Sequence, residues 1–289
     1  MVMTSETRDR AAIGVPDTST TRRDTVKSRP TRNRRAGRFF RLGAQVGILV
    51  LAILIWWYAS VTLPVNVMPS PFETIVTLGQ LSATPGFWQA VGVTVATFAL
   101  GLVICTVVGV PLGLAIGASR IATQSTRLVF DFLRTIPPIA ILPLVLLLFG
   151  PSAQMVLVVV ILGAIWPILV QSIYAARQGE PLLIDMSRSF RIPRAHYVFR
   201  IFLPGTLPFV MTGLRVGTTI CLLLTITAEL LSGAPGVGSE IQNAENYLNT
   251  PAMYAYVLVA AILGLIVNVA FWMLQRRVLS WHASNRKEA

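Results

Sequence analysis

Hydrophobic residues in this chain come in long runs, and polar residues crowd into the gaps between them. Apolar runs cover residues 44–63, 88–117, 207–231 and 253–274. Residues 135–176 carry no charge at all and are too long for one bilayer crossing at about 1.5 Å per helical residue. A turn signal at Gly150-Pro151-Ser152-Ala153 splits them into a run at 137–149 with its flanking residues and another at 155–174. Runs of this length predict membrane-spanning helices. The expectation is an all-α, polytopic membrane protein with about six transmembrane helices.

Residues inside and between the runs refine the picture. Trp56, Trp57 and Tyr58 suit a membrane interface. Pro64, Pro69 and Pro71 interrupt the chain after the first run, and residues 72–81 form a short interfacial helix. Gly109, Gly113 and Gly117 recur every four residues, so they line one face of the second span and let another backbone approach. Pro111 predicts a kink there. A loop with Arg120, Arg127, Asp131 and Arg134 follows. Pro137, Pro138, Pro143 and Pro167 imply irregular helices, which survive at membrane depth only where protein or a water cavity covers them.

Composition agrees. The chain is 54% hydrophobic and 12% charged, with mean hydropathy +0.68. A soluble domain carries about 25% charged residues. The net charge of +12 would suggest nucleic acid in a soluble protein. Here the placement of the 24 Lys and Arg residues decides otherwise. Eleven lie before the first run, three between runs two and three, five between runs four and five, and four after run six. The last is Arg215, inside the fifth run. None lies in the alternate gaps. By the positive-inside rule both termini and the gap at 177–206 are cytoplasmic.

Three regions follow: a disordered basic tail at 1–43, a six-helix membrane domain at 44–275 with its long cytoplasmic loop at 177–206, and a C-terminal tail at 276–289. The cationic end of the first tail is placed against anionic membrane lipid, and no nucleic acid is expected. A cleaved signal peptide fits poorly, because the first apolar run begins after about 43 residues and lacks a small-residue cleavage site. Cys105 and Cys221 sit in apolar runs as packing residues. No metal-ligand spacing, nucleophile–base constellation or phosphate-binding glycine loop is present. The chain is therefore read as no enzyme, and any use of ATP falls to a partner.

Two places carry candidate function. In the segment 180–208, Leu182, Leu183, Met186, Phe190 and Ile192 recur at helical spacing, interrupted by Asp185, Arg188, Arg191 and Arg194. A second short helix is expected from Arg194 to Phe202, ended by Pro204. Such a helix pair lies on headgroups, docks into a groove on another protein, or is simply a solvated cytoplasmic loop. The second place is the pair of ionisable residues inside the spans, Arg215 and Glu229, candidates for a translocation path. About 21 Å of helix separates them, so they are no ion pair. Arg215 can also snorkel toward headgroups. Neutral polar residues such as Thr94, Thr106, Ser172, Thr218 and Thr225 are read as backbone- or helix-bonded.

The segment resembles the coupling loop of ABC importer permeases, whose pattern is E-A-A, three residues, G, nine residues, I, one residue, L-P. Asp185, Met186 and Ser187 stand at E-A-A, with Arg188 in the spacer; Ile201, Leu203 and Pro204 match the end; Arg191 replaces the glycine. The run 228–241, with Glu229, Gly236 and Gly238, resembles the outer end of that family's fifth span. PLGLAIG, LRTIPPIAILPLVLLLFG and LPGTLPFVMTGLRVG are similar to its nitrate, sulfonate and taurine branch, and the likeness covers about residues 64–275. The resemblance implies a type I ABC importer permease fold in a bacterial plasma membrane. It also implies a homodimer enclosing the path, two ABC ATPase subunits that use the ATP, no cofactor on this chain, and an extracytoplasmic substrate-binding protein. The solute would be a small anion such as a sulfonate, taurine or nitrate. Two alternatives stand beside it. A secondary transporter or channel coupled through Glu229 would need more intramembrane ionisable groups and inverted repeats. A membrane anchor or scaffold is at odds with spans broken by proline and glycine.

Overall fold

A computed structural model describes residues 34–63, 68–178, 186–187 and 189–280. The regular elements among them are helical: α1 (Arg34–Thr62), α2 (Pro71–Ser82), α3 (Pro85–Ala118), α4 (Arg120–Leu133), α5 (Pro138–Phe149), α6 (Ala153–Arg177), the short α7 (Arg194–Tyr197), a π-helical turn (Val198–Phe202), α8 (Leu203–Ser232), α9 (Val237–Asn246) and α10 (Thr250–Val278). The tail at 1–33 lies outside the described residues. Contacts divide the chain into a unit ending at Leu51, whose described part is the first half of α1, and a unit from Ala52 onward.

In the second unit α6 is the central helix, with α3 on one side and α8 on the other. Small residues make this possible. A Cβ on Gly113 would stand 2.6 Å from the Leu169 carbonyl oxygen, and one on Gly117 would stand 2.5 Å from that of Ile173. Gly109 faces Ile168, and the same isoleucine meets Gly217 of α8 on its other side. Gly101 and Cys105 continue the buried stripe of α3, so it runs over five positions at four-residue spacing. Close backbone approach of this kind supplies van der Waals contact where no hydrophobic driving force acts between helices in lipid. Val159, Val160, Ala164, Ile168, Cys221 and Ala228 fill the core between them. Both cysteines are free and buried.

Four helical stretches are long and apolar enough to cross a membrane: α3, α6, the stretch that contains α8, and α10. The third apolar run behaves differently from a straight span. Its helix α5 has twelve residues, about 18 Å, short of a hydrocarbon core of about 30 Å. It meets α4 at a bend of 77°, and the two count as a fifth span only when taken together. The bend has a local cause. Pro138 disfavours helical backbone at the residue before it, and Pro137 sits extended at φ −68°, ψ 121°. The stretch 120–134, expected as a loop, is the helix α4. Ser119 caps it by accepting from the Ala122 N–H, and Asp131 pairs with Arg127 and Arg134 one turn away on either side. The described apolar part of α1 is Val50–Thr62. The Trp56 indole donates to the Pro69 carbonyl at 3.2 Å and its ring stacks near Tyr254.

Pro204 does not end a helix as expected. The chain runs on from α7 through the π-turn into α8. The Leu203 N–H reaches back five residues to the Val198 carbonyl, the wider spacing of a π-turn. Proline has no N–H and its ring crowds the carbonyl four residues back, so a wider turn just ahead of Pro204 relieves the conflict. After α8, Gly233 at φ 69° closes the helix. The short α9 then packs Val237 and Ile241 against Phe87 of α3 and Tyr256 of α10.

Candidate functional site

The segment before α8 is built around one helical turn. The Phe190 N–H donates to the Met186 carbonyl at 2.9 Å, and the Ile192 N–H donates to the Ser187 carbonyl at 3.0 Å. Between them Arg191 has φ 51°, left-handed backbone. A left-handed residue followed by a bond spanning six residues is a Schellman helix end, and Pro193 just beyond it prevents continuation. Glycine suits that position because a side chain there costs about 1–2 kcal/mol. Arg191 adopts the conformation nonetheless. Asp185 and Arg188 lie outside the described residues.

From this turn onward the segment presents apolar and cationic groups to its surroundings. Met186 is 45% exposed, Phe190 73% and Phe199 70%. Arg191, Arg194 and Arg200 are exposed beside them. Ile201 and Pro204 are half-buried and Leu203 exposed, at the point where the segment becomes α8. From Arg194 onward the amphipathic, cation-edged helix leads without a break into α8, so this part of the segment can transmit a push to that core helix.

The two intramembrane ionisable residues occupy different surroundings. Glu229 is wholly buried near the end of α8. Its Oε2 accepts from the Thr94 hydroxyl of α3 at 2.8 Å and from the Gly238 N–H at 3.1 Å. The Thr94 oxygen in turn accepts from the Val237 N–H at 2.8 Å. A Cβ on Gly236 would overlap the Glu229 carboxylate. One carboxylate thus clasps α3, the end of α8 and the turn into α9, while its Oε1 has no hydrogen-bond partner among the described residues. Thr94 is the partner that sequence reasoning left unranked; nothing local separates it from threonines that bond only their own helix, such as Thr106, Thr218 and Thr225.

Arg215 instead lines an open cleft of about 580 Å³ between α8 and α10. Thr218, Thr219, Leu222, Asn268 and Phe271 share it. The structure does not bring Arg215 and Glu229 together, and the face of Gly109, Gly113 and Gly117 belongs to the α3–α6 contact. A further groove of about 330 Å³ lies between α4 and α6, lined by Arg127, Asp131, Arg134, Tyr174 and Arg177. Among the described residues no group of His, Cys, Asp and Glu could hold a metal ion.

The chain is similar to known proteins. Residues 109–280 match the family described as binding-protein-dependent transport system inner membrane component. The taurine transport system permease protein TauC of Escherichia coli (strain K12) is 26% identical over 244 residues, 82% of this chain and 89% of that one. The putative aliphatic sulfonates transport permease protein SsuC of the same organism is 30% identical over 240 residues, 82% of this chain and 91% of that one. Among solved structures, an inward-facing MetNI methionine ABC transporter chain superposes with a TM-score of 0.58 at 20% identity, over 67% of this chain and 96% of that chain. The last likeness concerns the fold.

Proposed function

The chain belongs to the family of binding-protein-dependent transport system inner membrane components, and we propose that its segment 177–206 is the loop through which ATPase subunits drive it. It is a multi-pass membrane protein and the permease subunit of an ABC importer, working with ATPase subunits, and not an enzyme. Family membership displaces the secondary-transporter and anchor alternatives.

The observation that carries the coupling proposal is the exposed set Met186, Phe190 and Phe199, edged by Arg191, Arg194 and Arg200, ahead of the apolar run at 207–231. Apolar side chains left bare there need a cover, and large aromatic anchors with neighbouring arginines are the residue types that dominate protein interfaces. Asp185, Met186, Ser187, Arg188 and Arg191 would face the ATPase, while Ile201, Leu203 and Pro204 fix the segment to α8. Two ATPase subunits would serve two copies of this chain, with ATP bound by them and none by this chain. Both termini would be cytoplasmic, as the distribution of arginines favours. An extracytoplasmic binding protein would deliver a small anion; sulfonate, taurine and nitrate are the favoured classes, supported by the named transport of the taurine and sulfonate relatives.

The test is purification of the full chain with its ATPase in mild detergent, comparing wild type with Phe190→Asp/Phe199→Asp. The double variant should lose the ATPase from the complex and lose transport. Tyr247→Asp, equally exposed but on the turn after α9, should keep both. Stoichiometric ATPase and full uptake in the double variant would defeat the reading.

A further inference from the structure

Arg215 poses a problem that the coupling proposal does not answer. It is a cation on a transmembrane helix, it is exposed, and no ion pair among the described residues involves it. A guanidinium at membrane depth is costly unless something meets its charge. The cleft around it is asymmetric in its hydrogen-bonding groups. The Thr218 and Thr219 hydroxyls already donate to the Leu214 and Arg215 carbonyls, at 2.7 and 3.2 Å. Their protons are therefore committed. What remains to donate is the five N–H groups of Arg215 and the side-chain amide of Asn268, which lies across the cleft on α10. No carboxylate among the described residues lines the cleft. Leu222, Gly264, Leu265, Val267 and Phe271 form the rest of its wall. A volume of about 580 Å³ lies within the ordinary range for small-molecule sites.

We propose that the α8–α10 cleft binds an oxyanion carrying an aliphatic tail, with Arg215 and Asn268 holding the oxyanion and Leu222, Leu265 and Phe271 holding the tail. The planar guanidinium fork pairs two N–H groups with two oxygens of one phosphate or sulfonate, which an ammonium cannot do. Helical side chains lean toward the N-terminus of their helix, so Arg215 extends toward the end of α8 that joins the cationic segment. The chemistry has two sources, an anionic phospholipid of the surrounding leaflet or an alkyl sulfonate in transit. The inference needs only that the chain spans a membrane, and it stands or falls apart from the coupling loop.

The test uses the full transporter in detergent with its ATPase retained. Native mass spectrometry counts bound phosphatidylglycerol, and equilibrium binding of octanesulfonate is measured on the same preparations. Wild type should hold one of these probes with a strength that Arg215→Gln weakens about tenfold or more, since one charge-assisted pair is at stake. Asn268→Ala should weaken it less, about threefold, for the loss of one neutral donor. Loss of phosphatidylglycerol that octanesulfonate does not displace identifies the lipid as the source. Loss of octanesulfonate binding with phospholipid unchanged identifies the solute. If both variants bind both probes as wild type does, or wild type binds neither, the proposal is overturned. Should Arg215→Gln fail to fold by gel filtration, Arg215→Lys, which keeps the charge but lacks the fork, and Asn268→Ala decide by the same readout. ATPase retention in every variant separates this outcome from a failure of the coupling proposal.

Discussion

The close seating of α3 on α6 predicts that one substitution has opposite signs at two positions of the same helix. Gly92 and Gly113 both lie within α3. A Cβ on Gly92 would have no atom within 4 Å, whereas one on Gly113 would stand 2.6 Å from both the Leu169 carbonyl oxygen and the Ser172 Cβ. Alanine at either site gains about 0.5–1 kcal/mol in helix propensity and unfolded-state entropy. At Gly92 nothing opposes that gain. At Gly113 the neighbours are backbone and a Cβ, neither of which can swing aside. Ordinary contact begins at 3.4 Å, so the two helices must part by about 0.8 Å at that level. Overpacking of this kind costs about 1–3 kcal/mol. Gly113→Ala is therefore destabilising by about 1–2 kcal/mol net and Gly92→Ala stabilising by up to about 1 kcal/mol. Thermal unfolding in one detergent, followed by tryptophan fluorescence, ranks the three proteins. The expected order is Gly92→Ala above wild type above Gly113→Ala. A Gly113→Ala protein as stable as Gly92→Ala would show that α3 and α6 do not touch backbone to backbone, and the description of the core would fail with it.

Two other local arguments yield numbers. Arg191→Gly should stabilise the Schellman turn by about 0.5–1 kcal/mol, the left-handed penalty less the added freedom of glycine in the unfolded chain. Slower amide hydrogen exchange at Ile192 is the readout, and unchanged or faster exchange would refute it. Glu229→Ala should cost about 2–4 kcal/mol, because the Thr94 hydroxyl and Gly238 N–H are left buried without an acceptor. Glu229→Gln keeps one acceptor oxygen for both and gives the unpartnered side an amide, so folded yield should stay within a factor of a few of wild type. Equal yields from the alanine and glutamine variants would remove the clasp from the account.

What could be read from the chain alone followed from periodicity that one element satisfies by itself. The runs at 88–117, 155–174, 207–231 and 253–274 all reappear as helices, because unbroken apolar length is a property of the local sequence. The misses are places where two local signals conflict or a distant partner decides. Residues 120–134 are charged enough to look like a loop, yet Asp131 pairs with arginines on its own helix and Ser119 caps it. Pro204 reads as a stop, yet a π-turn carries the chain past it. The glycine spacing at 109, 113 and 117 was visible, while Gly101 escaped notice because Cys105 stands between it and the others. Thr94 could not be matched to Glu229 at all, since 135 residues separate them and only the fold brings them together.

These features bear on how force would travel through the permease. No loop intervenes between Arg194 and Ser232; α7, the π-turn and α8 follow one another directly. Displacement of the docking segment's part from Arg194 onward therefore reaches α8 without a slack joint. Along α8, Gly213 and Gly217 seat on Gln171 and Ile168 of α6, and Ile168 meets Gly109 of α3 on its other side. Packed backbones of this kind slide or hold as units and do not deform continuously. At the far end of α8, Glu229 ties the same helix to α3 and to the turn into α9. Three helices seated on one another along α6 and tied at the far end of α8 would respond to a push as one body. The rearrangement that opens a path must then fall at surfaces which this body turns outward, among them the cleft lined by Arg215. An internal parting of α3, α6 and α8 would break the close contacts at Gly113, Gly117, Gly213 and Gly217.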